Sequence, residues 1–80
     1  MNIKDAIVAR FQKLCVQEGI KLNELATRAG ITPSTVYSMM DSRRRDLSVL
    51  TVKKLCDGLE MSVADFFDDG LFRNLEQEIK

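Results

Sequence analysis

Apolar residues recur every three or four positions along nearly the whole chain, and nowhere do they alternate over the length of a strand. In the first segment Ile3, Ile7, Phe11, Leu14 and Cys15 share this spacing, with Lys4, Arg10, Lys13 and Gln17 between them. Asn2 is a capping residue. Asp5 lies in the first turn, where the helix dipole favours an anion, and Gly19 is a left-handed stop. The pattern predicts a helix over residues 3–18. A second stretch, Leu22, Leu25, Ala26 and Ala29, stops at Gly30. A third opens on Thr32-Pro33, a capping hydroxyl followed by a proline at the first helical position, where no N–H is needed. Val36, Met39 and Met40 give it an apolar side, and it ends near Asp41-Ser42.

Residues 41–47 form a polar loop. Ser48 then caps a fourth helix with Val49, Val52, Leu55, Cys56 and Leu59 on one face. Ser62-Val63-Ala64-Asp65 is a capping-box pattern with Asp in place of Glu, and it opens a short fifth helix carrying Val63, Phe66 and Phe67. Asp68-Asp69-Gly70 is a turn. Leu71, Phe72, Leu75 and Ile79 resume helical spacing, which predicts a last amphipathic turn-and-a-half or more. The expected fold class is all-α: a five-helix domain over residues 1–69, then a short helical tail over 70–80.

Composition narrows the chemistry. Eighty residues set a ceiling of one domain, which buries roughly 60% of its unfolded surface. With 45% hydrophobic and 30% charged residues, such a chain can build a small core. There is no His, so His-dependent triads and most metal sites are excluded, and no Asp-x-Asp-x-Asp-Gly run is present. No nucleophile is supplied with a base and there is no Gly-rich phosphate loop, so an enzyme is not expected, nor is a cofactor, a metal or a small-molecule ligand. Cys15 and Cys56 fall on apolar stripes and form no disulfide framework, which points to a reducing, cytoplasmic setting. No apolar run approaches the roughly 20 residues that span a bilayer, and Met1–Asp5 has no signal-peptide layout.

The zero net charge conceals an asymmetry. Residues 1–56 carry ten bases and five acids, whereas residues 57–80 carry two bases and seven acids. A basic body with an acidic end points to nucleic-acid contact by the basic part. The second and third helices are separated only by Gly30, Ile31 and the cap Thr32, which is a helix–turn–helix connection. Leu25, Ala26, Ala29, Ile31, Val36 and Met39 are placed to point into the angle between them. Ala26 is small enough for a close crossing, and Gly30 can take the positive φ of the turn.

The run Leu25-Ala26-x-x-Ala29-Gly30-Ile31-Thr32-x-Ser34-x-Val36 resembles the helix–turn–helix of the Xre-type family, which includes the phage lambda repressor and Cro. Val52-Lys53-Lys54-Leu55-Cys56-x-x-Leu59 and Met61-Ser62-Val63-x-Asp65-Phe66-Phe67 are similar to that family's last two helices, so the resemblance covers about residues 3–68. There are three departures. Cys15 and Met40 stand where family members often carry a buried Arg–Glu pair, a replacement that need not cost stability. Glu60 stands where helix 4 usually ends on Gly, and the third helix lacks the Gln, Asn or Arg that most often reads bases.

The resemblance implies a sequence-specific double-stranded DNA-binding transcriptional regulator, a repressor that inserts its third helix into the major groove. The alternative is a protein–protein module of the same fold, such as an antitoxin or adaptor. The outward face of the third helix comprises Thr32, Pro33, Ser34, Tyr37, Ser38 and Asp41, with Thr35 marginal. Ser34, Tyr37 and Ser38 are the candidate base readers, while a purely structural role stands equally open for Tyr37 and Ser38. Thr32, Arg43, Arg44 and Arg45 are the candidate phosphate contacts, Thr32 serving chiefly as a cap. Lys21 and Asn23 begin the second helix, whose N–H groups can hold a phosphate, and Arg28 either complements the dipole or touches DNA. Lys53 and Lys54 face outward from the fourth helix. A two-turn reading helix touches few base pairs, so a homodimer on two half-sites is expected. The stripe at Leu71, Phe72, Leu75 and Ile79 would either make that dimer or fold back on the first and fifth helices.

Overall fold

The computed structural model describes residues 1–79. Five helices follow in order: α1 (Ile3–Glu18), α2 (Leu22–Ala29), α3 (Pro33–Met40), α4 (Val49–Gly58) and α5 (Val63–Phe67), with a 3-10 turn at Gly70–Phe72. No strand occurs among the described residues. The boundaries follow the local chemistry. Asn2 Oδ1 accepts from the Asp5 N–H at 2.8 Å, Ser48 Oγ from the Leu50 N–H at 3.1 Å, and Ser62 Oγ from the Asp65 N–H at 3.0 Å. Each satisfies an N–H that the first helical turn leaves unpaired. At the turn between α2 and α3, Gly30 takes φ 72°, and the N–H groups of Gly30 and Ile31 close onto the carbonyls of Thr27 and Ala26.

Phe11, Leu25, Ala26, Val36, Leu55, Cys56 and Phe66 form the fully buried centre, drawn from all five helices. Gly58 lets α4 approach α2: a Cβ there would lie 3.1 Å from the Ala29 nitrogen. Burial pushes the Cys15 and Cys56 thiols above their ordinary value, and both are free.

Three positions differ from the sequence pattern. Ile3 is 41% exposed, and Lys4 takes its place on the buried stripe at 6% exposure. Val49, assigned to the inner face of α4, is the first residue of that helix and is 83% exposed. The tail is helical only in the 3-10 turn; residues 73–79 form no helix. Asp69 caps that turn by accepting from the Leu71 N–H at 2.9 Å, which drops Phe72 onto Phe66 and Phe67. The Glu76 N–H then donates to the Met1 carbonyl at 3.2 Å, drawing the chain along the start of α1. Phe72 therefore covers its own core, while Ile79 stays 84% exposed.

Candidate nucleic-acid interface

Burial of Val36 and Met39 against Leu25 and Ala26 fixes which side of α3 faces out. Thr32, Pro33, Ser34, Thr35 and Tyr37 are exposed, and Ser38 is half-buried. The Thr32 hydroxyl accepts from the Thr35 N–H at 3.4 Å and lies 3.0 Å from Ser34 Oγ and 2.9 Å from Thr35 Oγ1. It is thus engaged within the helix start. The Tyr37 hydroxyl donates to Asn23 Oδ1 at 2.8 Å, although the residue remains 55% exposed. Tyr37 therefore braces α2 through its hydroxyl while much of the residue stays open to solvent.

Asp41 caps the end of α3 with extended backbone and sends the chain outward into the arginine loop. Its carboxylate accepts from Arg43 three times: from the N–H at 3.0 Å, from Nε at 3.1 Å and from a terminal nitrogen at 3.0 Å. The Arg43 guanidinium, and then its backbone N–H, hold the Asp41 carboxyl below its usual range, while Asp41 raises Arg43. Arg43 is committed to this contact. Arg44 and Arg45 are exposed and have no ion-pair partner among the described residues. The loop thus separates into one arginine that shapes the turn and two that present free guanidinium groups to solvent.

The remaining basic residues divide in the same way. Arg28 pairs with Glu24 at 2.7 Å, and Lys53 pairs with Asp57 one turn on. Lys21 is the N-cap of α2 but makes no side-chain capping bond. On the acidic side, Asp69 lies 3.3 Å from Arg10 and 3.8 Å from Lys13, and Asp68 lies 3.0 Å from Arg73. Much of the apparent charge separation along the sequence is therefore neutralised locally.

Two residues outside the sequence-predicted set hold this arrangement. Lys4 Nζ donates to the Asp41 carbonyl at 2.7 Å. The signal for it was present, since Lys4 lies three residues before Ile7 and seven before Phe11 on the same helical stripe. Arg10 Nε donates to the Phe66 carbonyl at 3.0 Å, joining α1 to the end of α5, with the guanidinium 5.8 Å from the Phe66 ring centroid. No periodicity marks that contact, because it depends on the path of the chain after α4.

A comparison with curated proteins finds no match. Among solved structures, the crystal structure of the prophage Lp1 protein 11 is similar, with a TM-score of 0.82 and 30% identity, covering 94% of this chain and 100% of that one. The family model of the Cro/C1-type HTH DNA-binding domain matches residues 10–69, a stretch that includes α2, the turn, α3 and the whole arginine loop. The chain belongs to the Cro/C1-type helix–turn–helix DNA-binding family.

Proposed function

We propose that the protein is a sequence-specific double-stranded DNA-binding regulator that represses transcription as a homodimer, with α3 in the major groove. The observation that carries this reading is that the exposed side of α3 is followed directly in the chain by Arg44 and Arg45, both exposed and without an ion-pair partner among the described residues. Ser34, Tyr37 and Ser38 are the base-reading residues: hydroxyls bond base edges, and the Tyr37 ring can meet a thymine methyl group. Arg44 and Arg45 supply phosphate affinity, with Arg43 shaping their loop and Thr32 capping the helix that carries the readers. Repression follows from occupancy, by competition for a promoter.

Selection of bound duplexes from a random pool tests this. A recovered motif with two-fold symmetry and half-sites about 10 base pairs apart supports both DNA reading and dimer formation. Recovery of no motif, together with a binding constant insensitive to salt, would favour the protein–protein module instead.

A further inference from the structure

A cavity of about 240 Å³ opens where the start of α1, the arginine loop, α4 and α5 meet. Ile7, Val52, Val63 and Phe67 are part of its apolar wall, and Lys4 and Arg45 are the charged residues that line it. Both are cations, and no acid lines the cavity among the described residues. Lys4 is 6% exposed. A lysine is rarely buried this deeply without a paired charge. Its ammonium donates to the Asp41 carbonyl, yet no carboxylate lies within ion-pair distance of it among the described residues, and the Asp41 carboxylate is taken up by Arg43. Arg45 has no ion-pair partner there either. Two unpaired cations beside an apolar hollow set the chemistry of an occupant: an apolar body with one anionic end.

Resting on the DNA-binding reading above, we propose that this cavity binds a free aliphatic carboxylate, a short fatty acid, and that its binding releases the protein from DNA. The hydrocarbon lies against Ile7, Val52, Val63 and Phe67, and the carboxylate meets Arg45 and Lys4. Guanidinium binds carboxylate with paired, charge-assisted hydrogen bonds. The volume falls below the ~300–1,000 Å³ of pockets for drug-sized ligands, so the acid is a small one. Arg45 couples the two ligands, because an arginine paired with a carboxylate in the cavity no longer neutralises a DNA phosphate. The sequence suggests no small-molecule ligand, since the lining is drawn from four separate segments of the chain.

The test uses the full chain, with octanoate as the probe well below its micelle concentration and with octanol and octylammonium as controls. In calorimetry without DNA, octanoate should bind at least about 10-fold more tightly than octanol, the factor for a lost charge-assisted hydrogen bond. Each CH₂ removed from the acid should cost about 4-fold. Lys4→Met should weaken octanoate and spare octanol. Val49 also lines the cavity and is 83% exposed, so Val49→Asp should weaken octanoate by repulsion while the melting temperature is retained, an anion being favoured in the first turn of α4. With a selected and a random duplex, saturating octanoate should lower affinity as Arg45→Ala does, reduce the salt slope by up to ~0.9, and add nothing to the loss in Arg45→Ala. Equal binding of the three probes, or octanoate affinity unchanged in both Lys4→Met and Val49→Asp, would overturn the site. Octanoate binding with undiminished DNA affinity would overturn the release. If Val49→Asp turns a dimer into a monomer in sedimentation and octanoate binds only the monomer, a second copy occupies the cavity and the proposal falls. Failure of the unaltered protein to bind either duplex would overturn the DNA-binding reading and the release together, while calorimetry still decides the site.

Discussion

Lys4 and Asp41 lie 37 positions apart in sequence, and the Lys4 ammonium donates to the Asp41 carbonyl at 2.7 Å. That carbonyl also accepts from the Arg44 N–H at 3.0 Å, and the Asp41 carboxylate holds Arg43. One buried cation thus ties the end of α3 and the start of the arginine loop to α1. The C-terminal end of a helix is its partially negative end, which makes it a suitable place for an ammonium group. Lys4→Met keeps the aliphatic stem and removes the donor. Because Arg44 still serves the carbonyl, the expected loss is at the low end for a buried hydrogen bond, about 1 kcal/mol in denaturant titration. Amide exchange should accelerate at Arg44, where the anchored turn begins. Unchanged stability and exchange would mean that the Arg43 and Arg44 contacts to Asp41 hold the loop without Lys4.

The arginines are expected to be unequal. Arg44→Ala and Arg45→Ala should each lower affinity for specific and random DNA alike and reduce the salt slope by up to ~0.9. Arg43→Ala should act mainly through the shape of the loop, with a smaller change in slope, since Arg43 begins committed to Asp41. Titrations at several salt concentrations separate the three. Equal slopes for all three variants would contradict the division.

Most of the fold was legible because the signals were local. Thr32-Pro33, Ser48 and Ser62 each open a helix where their hydroxyls find N–H partners, and Gly30 turns the chain between α2 and α3. Glu60, which stands in place of the resembled family's usual Gly, takes φ 57°, so the left-handed position is kept without the residue that favours it. What periodicity did not reveal was long-range and polar. The Lys4–Asp41 and Arg10–Phe66 bonds each join α1 to a carbonyl at the end of another helix. Spacing along one helix cannot announce the partner. The tail misled for a related reason: apolar spacing was right for Phe72, which the Asp69-capped turn seats on the core, but the long-range Glu76–Met1 bond then draws the chain along the start of α1 without a helix.

Gly58→Ala places a methyl group 3.1 Å from the Ala29 nitrogen and 3.3 Å from its Cα. The obstructing atoms are backbone, so α2 and α4 must separate. Overpacking of this kind costs about 1–3 kcal/mol, against a gain of about 1 kcal/mol in helix propensity. Net destabilisation of about 1 kcal/mol is expected in denaturant titration. A stabilised variant would show that the two helices can part without loss.

Asp69 makes stability dependent on acid. The Leu71 N–H, and then Lys13, Arg10 and Arg73, hold its carboxyl below the ordinary 3.8 despite an opposing desolvation effect. The folded protein therefore binds this proton less readily than the unfolded chain. The stabilisation is present above pH 3.8 and is lost as pH falls through the lowered folded value. Asp69→Asn retains an acceptor for Leu71 but removes the charge. Its melting temperature should be lower at neutral pH and should converge on that of the unaltered protein once the pH has fallen through the lowered folded value of Asp69, with Asp41 still contributing the same direction of dependence in both. Parallel curves down to low pH would exclude Asp69 as a source of the acid sensitivity.

Phe72 decides what the tail is for. Its ring centroid lies 4.9 Å from that of Phe67 and 5.8 Å from that of Phe66, and Phe66 in turn lies 4.3 Å from Phe11 at the centre of the fold. A half-buried aromatic in such a cluster contributes through both burial and ring contacts, so Phe72→Ala should cost about 1–2 kcal/mol. Removing residues 71–80 does more. It takes away Phe72, the Leu71 N–H that Asp69 accepts from, and the Glu76 bond to Met1. The truncated chain should therefore melt at a markedly lower temperature and expose Phe66 and Phe67, instead of remaining a well-folded monomer that has merely lost a partner. Thermal unfolding and sedimentation together distinguish the cases. If truncation lowers the mass from dimer to monomer with the melting temperature unchanged, the tail's apolar residues serve the interface and not the core.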